Sequence, residues 1–224
     1  MVTVISCIGD LVVTRKDEDM PKPLFFGLDD EKKDRILKTG LAEFAQYGFK
    51  ESSTNRIVKN AGISKGSLFK YFNNKEDFYF YLLDNAITVL SQDIKIKNLP
   101  IDLFERAMKY SEAEFDWYIQ NPDQYKLLKN AFIKDHSEIY VKTLHRYQFQ
   151  GDSFYYKLFE DVNFKKYQWD KEKILNILKW FLIGFNEEFI KEITSDENLN
   201  QVKSRYLKCL KKYINMIKEG LDKE

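Results

Sequence analysis

The sequence predicts an all-α fold in two parts. An N-terminal three-helix domain carries a helix-turn-helix, and a larger helical domain follows. Three observations predict it. Of 224 residues only 9 are Gly and 4 are Pro, too few for a fold that turns every ~8–12 residues. Lys, Glu, Leu and Ile, which favour helices, are abundant. Apolar residues recur at steps of three and four in successive segments, each closed by a Gly, Asn or Pro signal.

Residues 1–28 do not share that pattern and read as an extended or irregular extension. Val, Ile and Thr dominate to Val13, Arg15 to Asp19 is fully charged, and Met20, Pro21, Lys22 and Pro23 cannot be helix interior. An alternative start for the natural protein is Met20. The helical pattern begins at Asp29, with Asp30 and Glu31 where a helix N-terminus favours negative charge. Leu37, Leu41, Phe44 and Ala45 form one apolar stripe, and Gly48 suits the residue that ends the helix. Ser52 and Ser53 are candidate caps for a short helix, Thr54 to Ala61. Gly62 then breaks the chain and Ser64 caps a second short helix, Lys65 to Phe72. Asn73 and Asn74 close it and cap a fourth, from Lys75 to about Ile96. Leu99 and Pro100 interrupt before a fifth. Pro122 opens the next, over about 122–133. Further helices are expected at about 137–162 (broken at Gly151), 170–194 and 198–219. The expected divisions are 1–28, a helix-turn-helix domain at 29–74, a connecting helix at 75–98, and an effector and dimerisation domain at 99–224.

Two short helices about a Gly turn, with the second entering a DNA major groove, is how a helix-turn-helix works. Charge sharpens the reading. Between residues 50 and 75, Lys50, Arg56, Lys59, Lys65, Lys70 and Lys75 stand against Glu51 alone, in a chain whose net charge is +1. Basic clustering on one small element is a phosphate-binding footprint. Lys65 and Lys75 each open a helix, where a cation opposes the helix dipole and a bound phosphate would reverse that sign. Gly66 inside a short helix permits close backbone approach. Taken singly, a solvated lysine or a packing glycine explains each.

The run Ile36-Leu37-Lys38-Thr39-Gly40-Leu41-Ala42-Glu43-Phe44-Ala45-Gln46-Tyr47-Gly48-Phe49, the run Ser53-Thr54-Asn55-Arg56-Ile57-Val58-Lys59-Asn60-Ala61-Gly62-Ile63-Ser64-Lys65-Gly66-Ser67-Leu68-Phe69-Lys70-Tyr71-Phe72, and the step Asn74-Lys75-Glu76-Asp77-Phe78 follow in order. Together they resemble the DNA-binding domain of TetR-family transcriptional repressors. The resemblance implies that Ser53 and Thr54 meet a phosphate. It implies that Lys65, Gly66 and Ser67 approach bases or backbone, that Lys70 and Tyr71 reach bases or phosphates, and that Lys75 holds a phosphate. Leu68 and Phe72 would be core. Phe69 departs from the family's usual Tyr and lacks the hydroxyl for one phosphate contact.

Beyond residue 90 the resemblance fades. It implies there an all-α domain that binds a small effector and forms a homodimer on a palindromic operator of double-stranded DNA. The residues allow this independently. Residues 174–190 are apolar nearly all round, so more than one face is buried. With the stripe on the last helix, this makes Ile177, Trp180, Phe181, Tyr206, Leu210, Tyr213 and Ile217 the expected dimer contacts. Phe104, Met108, Phe115, Tyr118 and Tyr147 are the candidate lining of an apolar pocket, although core packing explains most such aromatics. Glu112, Glu114 and Asp116 read as solvated. Cys7 and Cys209 have neither disulfide nor metal spacing, so no cofactor is expected and a reducing cytoplasm is. No run reaches the ~18 apolar residues of a membrane span. His136 and His145 form no catalytic constellation, and an enzyme is not expected. The main alternative is a helix-turn-helix activator or architectural protein with no small effector. A more distant one is a helical interaction module with an incidental turn.

Overall fold

The structure, a computed structural model, describes residues 21–93, 99–132, 137–191 and 198–221. Its helices are α1 (Pro23–Phe26), α2 (Asp30–Glu51), α3 (Thr54–Ala61), α4 (Lys65–Tyr71), α5 (Lys75–Asp93), α6 (Leu103–Gln120), α7 (Pro122–Ala131), α8 (Glu138–Leu158), α9 (Lys171–Lys191) and α10 (Leu199–Leu221), with a 3₁₀ turn at Phe164–Lys166. The extended run to Val13, Met20, Cys7, Ile96, His136 and the expected helix end near residue 194 lie outside the described residues. Gly151 does not break α8, which runs through it.

The chain forms two compact units. Among the described residues, the first holds 21–92 together with those of Asn121–Arg146, and the second holds those of Asp93–Gln120 and from Tyr147 to Leu221. The segment 121–146 therefore clusters with the first unit, although the sequence groups it with 99–224.

In the first unit α2 is the hub, packing on both α3 and α7. Asp29 caps it by accepting the Lys32 N–H at 2.8 Å. Ile36, Phe44, Ile57, Leu68, Phe72, Phe78, Leu83, Leu127 and Leu128 make the core, all at 1% exposure or less. At Gly40 the side chains of Phe78 and Leu82 of α5 pack directly on the α2 backbone. A Cβ there would stand 2.4 Å from the Phe78 ring, so no larger residue fits without displacement. Gly48 has φ 64° and ψ −176°, which kinks α2 one turn before its end. Beside the kink, the Asn130 side chain of α7 donates to the Ala45 carbonyl at 3.0 Å. The expected irregular extension is not irregular throughout, because α1 forms and buries Phe25.

In the second unit α10 packs on α6 and α9. Phe115 stacks on Tyr206 at 4.9 Å, and the Tyr206 hydroxyl donates to Asn186 Oδ1 at 2.8 Å. Lys203 of α10 pairs with Glu112 and Asp116 of α6 at 3.0 and 2.8 Å. Glu114, expected in solvent, is instead 1% exposed. Its position on α6 is one turn from Ser111 and two turns from Ala107, along the middle of the buried face. Among the described residues its side-chain oxygens have no hydrogen-bond partner, and burial pushes its pKa up to about 8.

Candidate nucleic-acid interface

The α3–α4 turn follows from two residues. Gly62 adopts the left-handed conformation, φ 66° and ψ 35°, that closes α3. Ile63 N–H then reaches the Val58 carbonyl at 3.0 Å. Ser64 starts α4, its Oγ accepting the Ser67 N–H at 3.0 Å and lying 2.8 Å from Ser67 Oγ. Neither α3 nor α4 has an acidic residue in its first turn, and Ser53 makes no side-chain cap bond to α3. The start of α3 carries no acid of its own, and its Ser53 N–H is taken by the Glu43 carboxylate at 2.7 Å.

α4 has seven residues, about 10 Å of helix. Leu68, Tyr71 and the following Phe72 are buried; Lys65, Gly66 and Lys70 are exposed; Ser67 and Phe69 are half-buried. At ~100° per residue the exposed arc centres on Gly66, with Phe69 and Lys70 on its shoulders. A Cβ on Gly66 would meet nothing nearer than Ser64 Oγ at 3.8 Å. The fold does not need this glycine for space. Gly66→Ala should leave the thermal midpoint unchanged or slightly higher, since Ala is the better helix former by up to ~1 kcal/mol. If bound backbone approaches here, the same variant loses DNA affinity at least tenfold. Paired melting and DNA titrations separate the two effects.

The basic count from the sequence is corrected by two contacts. Arg56 binds Glu43, which is buried at 6% exposure, through Nε at 2.9 Å; it also donates to the Glu51 carbonyl and lies 4.3 Å over the Tyr47 ring. The Ser53 N–H completes the Glu43 site at 2.7 Å. Arg56 is therefore a structural cation. Lys75 is the second correction. Its Nζ donates to the Ser52 carbonyl at 2.8 Å and sits 4.6 Å over the Phe49 ring. Partial burial holds its pKa below the usual lysine range. A lysine at the start of α5 is explained without DNA, because the carbonyls at the end of α2 neutralise it. Lys50, Lys59, Lys65 and Lys70 remain as the exposed lysines of the element. Tyr71, expected to reach DNA, is 5% exposed, with its ring 5.8 Å from Phe25. Thr54 and Ser53 are half-buried at the mouth of α3.

In the second unit the expected residues divide. Phe115 and Tyr147 are core, at 0% and 1% exposure, and Tyr118 is half-buried. Phe104 and Met108 border a groove of about 550 Å³ between α6 and α10, with Lys109, Leu207, Lys211 and Ile214. Of the expected dimer contacts, Ile177, Trp180 and Tyr213 are exposed, and Phe181 and Ile217 are half-buried. Tyr206 and Leu210 are corrected: both are buried within their own chain, Tyr206 beneath Phe115, Phe185 and Phe189. A stripe on one helix does not say whether its partner is the same chain or a second copy. Phe25, Glu43 and Asn130 were not singled out from the sequence. Glu43 had one legible signal, an acid set between apolar neighbours on the buried stripe of α2.

Comparison with known proteins agrees with this geometry. Residues 36–82 match the family described as bacterial regulatory proteins, tetR family. The uncharacterized HTH-type transcriptional regulator YerO of Bacillus subtilis is 28% identical over 131 residues, 56% of this chain and 45% of YerO. The match thus spans less than half of that relative. An HTH-type transcriptional regulator of Staphylococcus aureus is 28% identical over 143 residues, 62% of this chain and 75% of the relative. Among solved structures, a TetR family transcriptional regulator from Chloroflexus aurantiacus has a TM-score of 0.71 at 20% identity. It covers 92% of this chain and 100% of its own. The TetR family regulator PfmR from Thermus thermophilus has a TM-score of 0.56 at 16% identity, covering 86% and 98%. These structures establish the likeness of fold.

Proposed function

We propose that the chain, whose residues 36–82 match the TetR family of bacterial regulatory proteins, is a member of that family and acts as a homodimeric repressor, bound to a palindromic operator and released by a small apolar or aromatic effector. Regulators of this family bind DNA through the helix-turn-helix and are not enzymes. Among the described residues no helix is long and apolar enough to cross a membrane.

One observation carries the DNA reading: the exposed arc of α4, a glycine with nothing above it flanked by Lys65 and Lys70. A flat, cationic, small-residue face lets a short helix sit close to a duplex. Ser53, Thr54 and Ser67 supply hydroxyls at the two helix starts. Phe69 adds apolar surface but no hydrogen bond. The two recognition helices of a dimer would then sit about 34–36 Å apart on the operator. Exposed Ile177, Trp180 and Tyr213 support self-association, and the groove beside Phe104 and Met108 supports an effector site. Release follows if the effector binds better to a spacing of recognition helices that the operator does not accept.

Titration against a duplex selected from a random pool tests the DNA reading. Each of Lys65→Ala and Lys70→Ala should weaken binding to every duplex and flatten the slope of log affinity against log salt by about one. Lys75→Ala should leave that slope unchanged, because its ammonium is already held by carbonyls. If neither Lys65→Ala nor Lys70→Ala moves the slope, α4 is not the phosphate-binding face. A rise in melting temperature with apolar aromatic probes tests the effector reading.

A further inference from the structure

The chain before α2 closes the far end of α4. Phe25 is 1% exposed, with its ring 5.8 Å from Tyr71, 5.3 Å from Phe72 and 6.0 Å from Tyr81 of α5. Lys22 donates its backbone N–H to the Tyr71 carbonyl at 2.9 Å. Tyr71 is the last residue of α4, and a helix leaves its final carbonyls without donors of its own. A seven-residue helix has little stability by itself, so its orientation is set by whatever holds its two ends. Ser64 holds the first end. The second is held by this segment, which lies outside residues 36–82. The segment is stiff, because Pro21 and Pro23 flank Lys22 and Lys22 itself is extended at φ −60° and ψ 155°. Pro21 and Phe25 are buried while Leu24 and Phe26 are half or more exposed, so Phe25 is the aromatic anchor of the segment.

We propose that residues 21–26 are a positioning strap for the recognition helix, with Phe25 and the Lys22 amide setting the angle at which α4 meets DNA. The proposal rests on the DNA-binding reading above. The strap grips α4 on its buried face, through Tyr71 and Phe72. It therefore governs selectivity among sequences and adds no phosphate contact of its own.

Lys22→Pro is the sharpest probe. The φ of Lys22 already suits proline, so the variant keeps that dihedral while it removes the N–H and sets the ring Cδ against the Tyr71 carbonyl, which breaks the contact. Lys22→Ala controls for the lost charge. Phe25→Ala removes the anchor and Phe25→Leu restores most of its bulk. The full-length protein is titrated against a duplex that the wild type selects from a random pool, and against an unselected duplex of equal length. Far-UV circular dichroism checks folding throughout. Lys22→Pro and Phe25→Ala should lose about tenfold in affinity for the selected duplex, the effect of one misread base pair, and change less than about twofold on the unselected one. Their salt slopes should match the wild type. Lys22→Ala should behave as wild type, and Phe25→Leu should recover most of the selectivity. The strap is overturned if folded Lys22→Pro keeps the wild-type ratio of selected to unselected affinity, or if Lys22→Ala loses as much as Lys22→Pro. Lys22→Pro decides the matter alone should Phe25→Ala fail to fold. A wild type that retains no duplex from the pool removes the DNA-binding reading as well.

Discussion

Glu114→Gln is expected to stabilise the protein strongly at pH 9 and only slightly at pH 5. Glu114 is 1% exposed, neither carboxyl oxygen has a hydrogen-bond partner among the described residues, and burial raises its pKa to about 8. An unfolded chain restores the ordinary glutamate value near ~4.3. Between those values the native state holds a proton that the unfolded state has released. Stability from this group is therefore complete below the unfolded pKa and is lost as pH rises through about 8. Above that, folding must bury an unpaired carboxylate or hold its proton against the solvent. Glutamine has nearly the same shape and no proton to lose. The advantage of the variant should grow from about 1 kcal/mol at pH 5 to on the order of 5 kcal/mol at pH 9. Differential scanning calorimetry of both proteins at pH 5, 7 and 9 reads it directly. A difference that stays flat across that range would mean Glu114 is ionised and paired in the native protein.

Arg106→Ala is expected to cost about 3–5 kcal/mol, the scale for breaking a buried charged network. Arg106 is 1% exposed on α6. Its Nε donates to the Pro100 carbonyl at 2.6 Å and its Nη1 to the Leu158 carbonyl at 2.9 Å. The guanidinium also forks onto both carboxylate oxygens of Asp161. One side chain thus ties the chain before α6 to the end of α8. Alanine would strand two backbone carbonyls and leave a void. The ion pair itself contributes much less, because the Asp161 side chain is 73% exposed. Asp161→Asn should accordingly cost under about 1 kcal/mol. Arg106→Lys should rescue little, since a single ammonium cannot serve carbonyls on two segments in a planar fork. Urea unfolding midpoints of the three variants distinguish a carbonyl-binding arginine from an ion pair. Equal losses for Arg106→Ala and Asp161→Asn would assign the stability to the pair.

The helix boundaries were legible wherever a local backbone rule decided them. Gly62 permits the left-handed turn and ends α3 at Ala61 as expected, whereas Ser53, a candidate cap, starts the helix without a side-chain cap bond. Ser64 and Asn74 accept the N–H three residues on, at 3.0 and 2.8 Å. Gly48 was legible as a positive-φ position, yet it kinks α2 where the sequence suggests an end. Its neighbours are held from outside the helix, at Ala45 by Asn130 and at Ser52 by Lys75. Within α4 the exposed lysines were correctly read as exposed, because the buried stripe of Leu68 and Phe72 leaves them no other side.

What the amino-acid sequence determined by itself was the all-α class, the turn between α3 and α4, and the family resemblance of residues 36–78. Each depends on interactions spanning four residues or fewer, or on their order along the chain. Only the tertiary structure decided which charges are available. Glu43 takes Arg56 from thirteen residues away, the Ser52 carbonyl takes Lys75 from twenty-three, and burial in α6 takes Glu114 out of solvent. It also decided that Tyr206 and Leu210 belong to their own chain's core and that Phe25 belongs to the recognition helix. The physical reason is the same in each case. An amphipathic pattern states that a face will be covered, whereas the identity of the cover depends on contacts between residues distant in the chain.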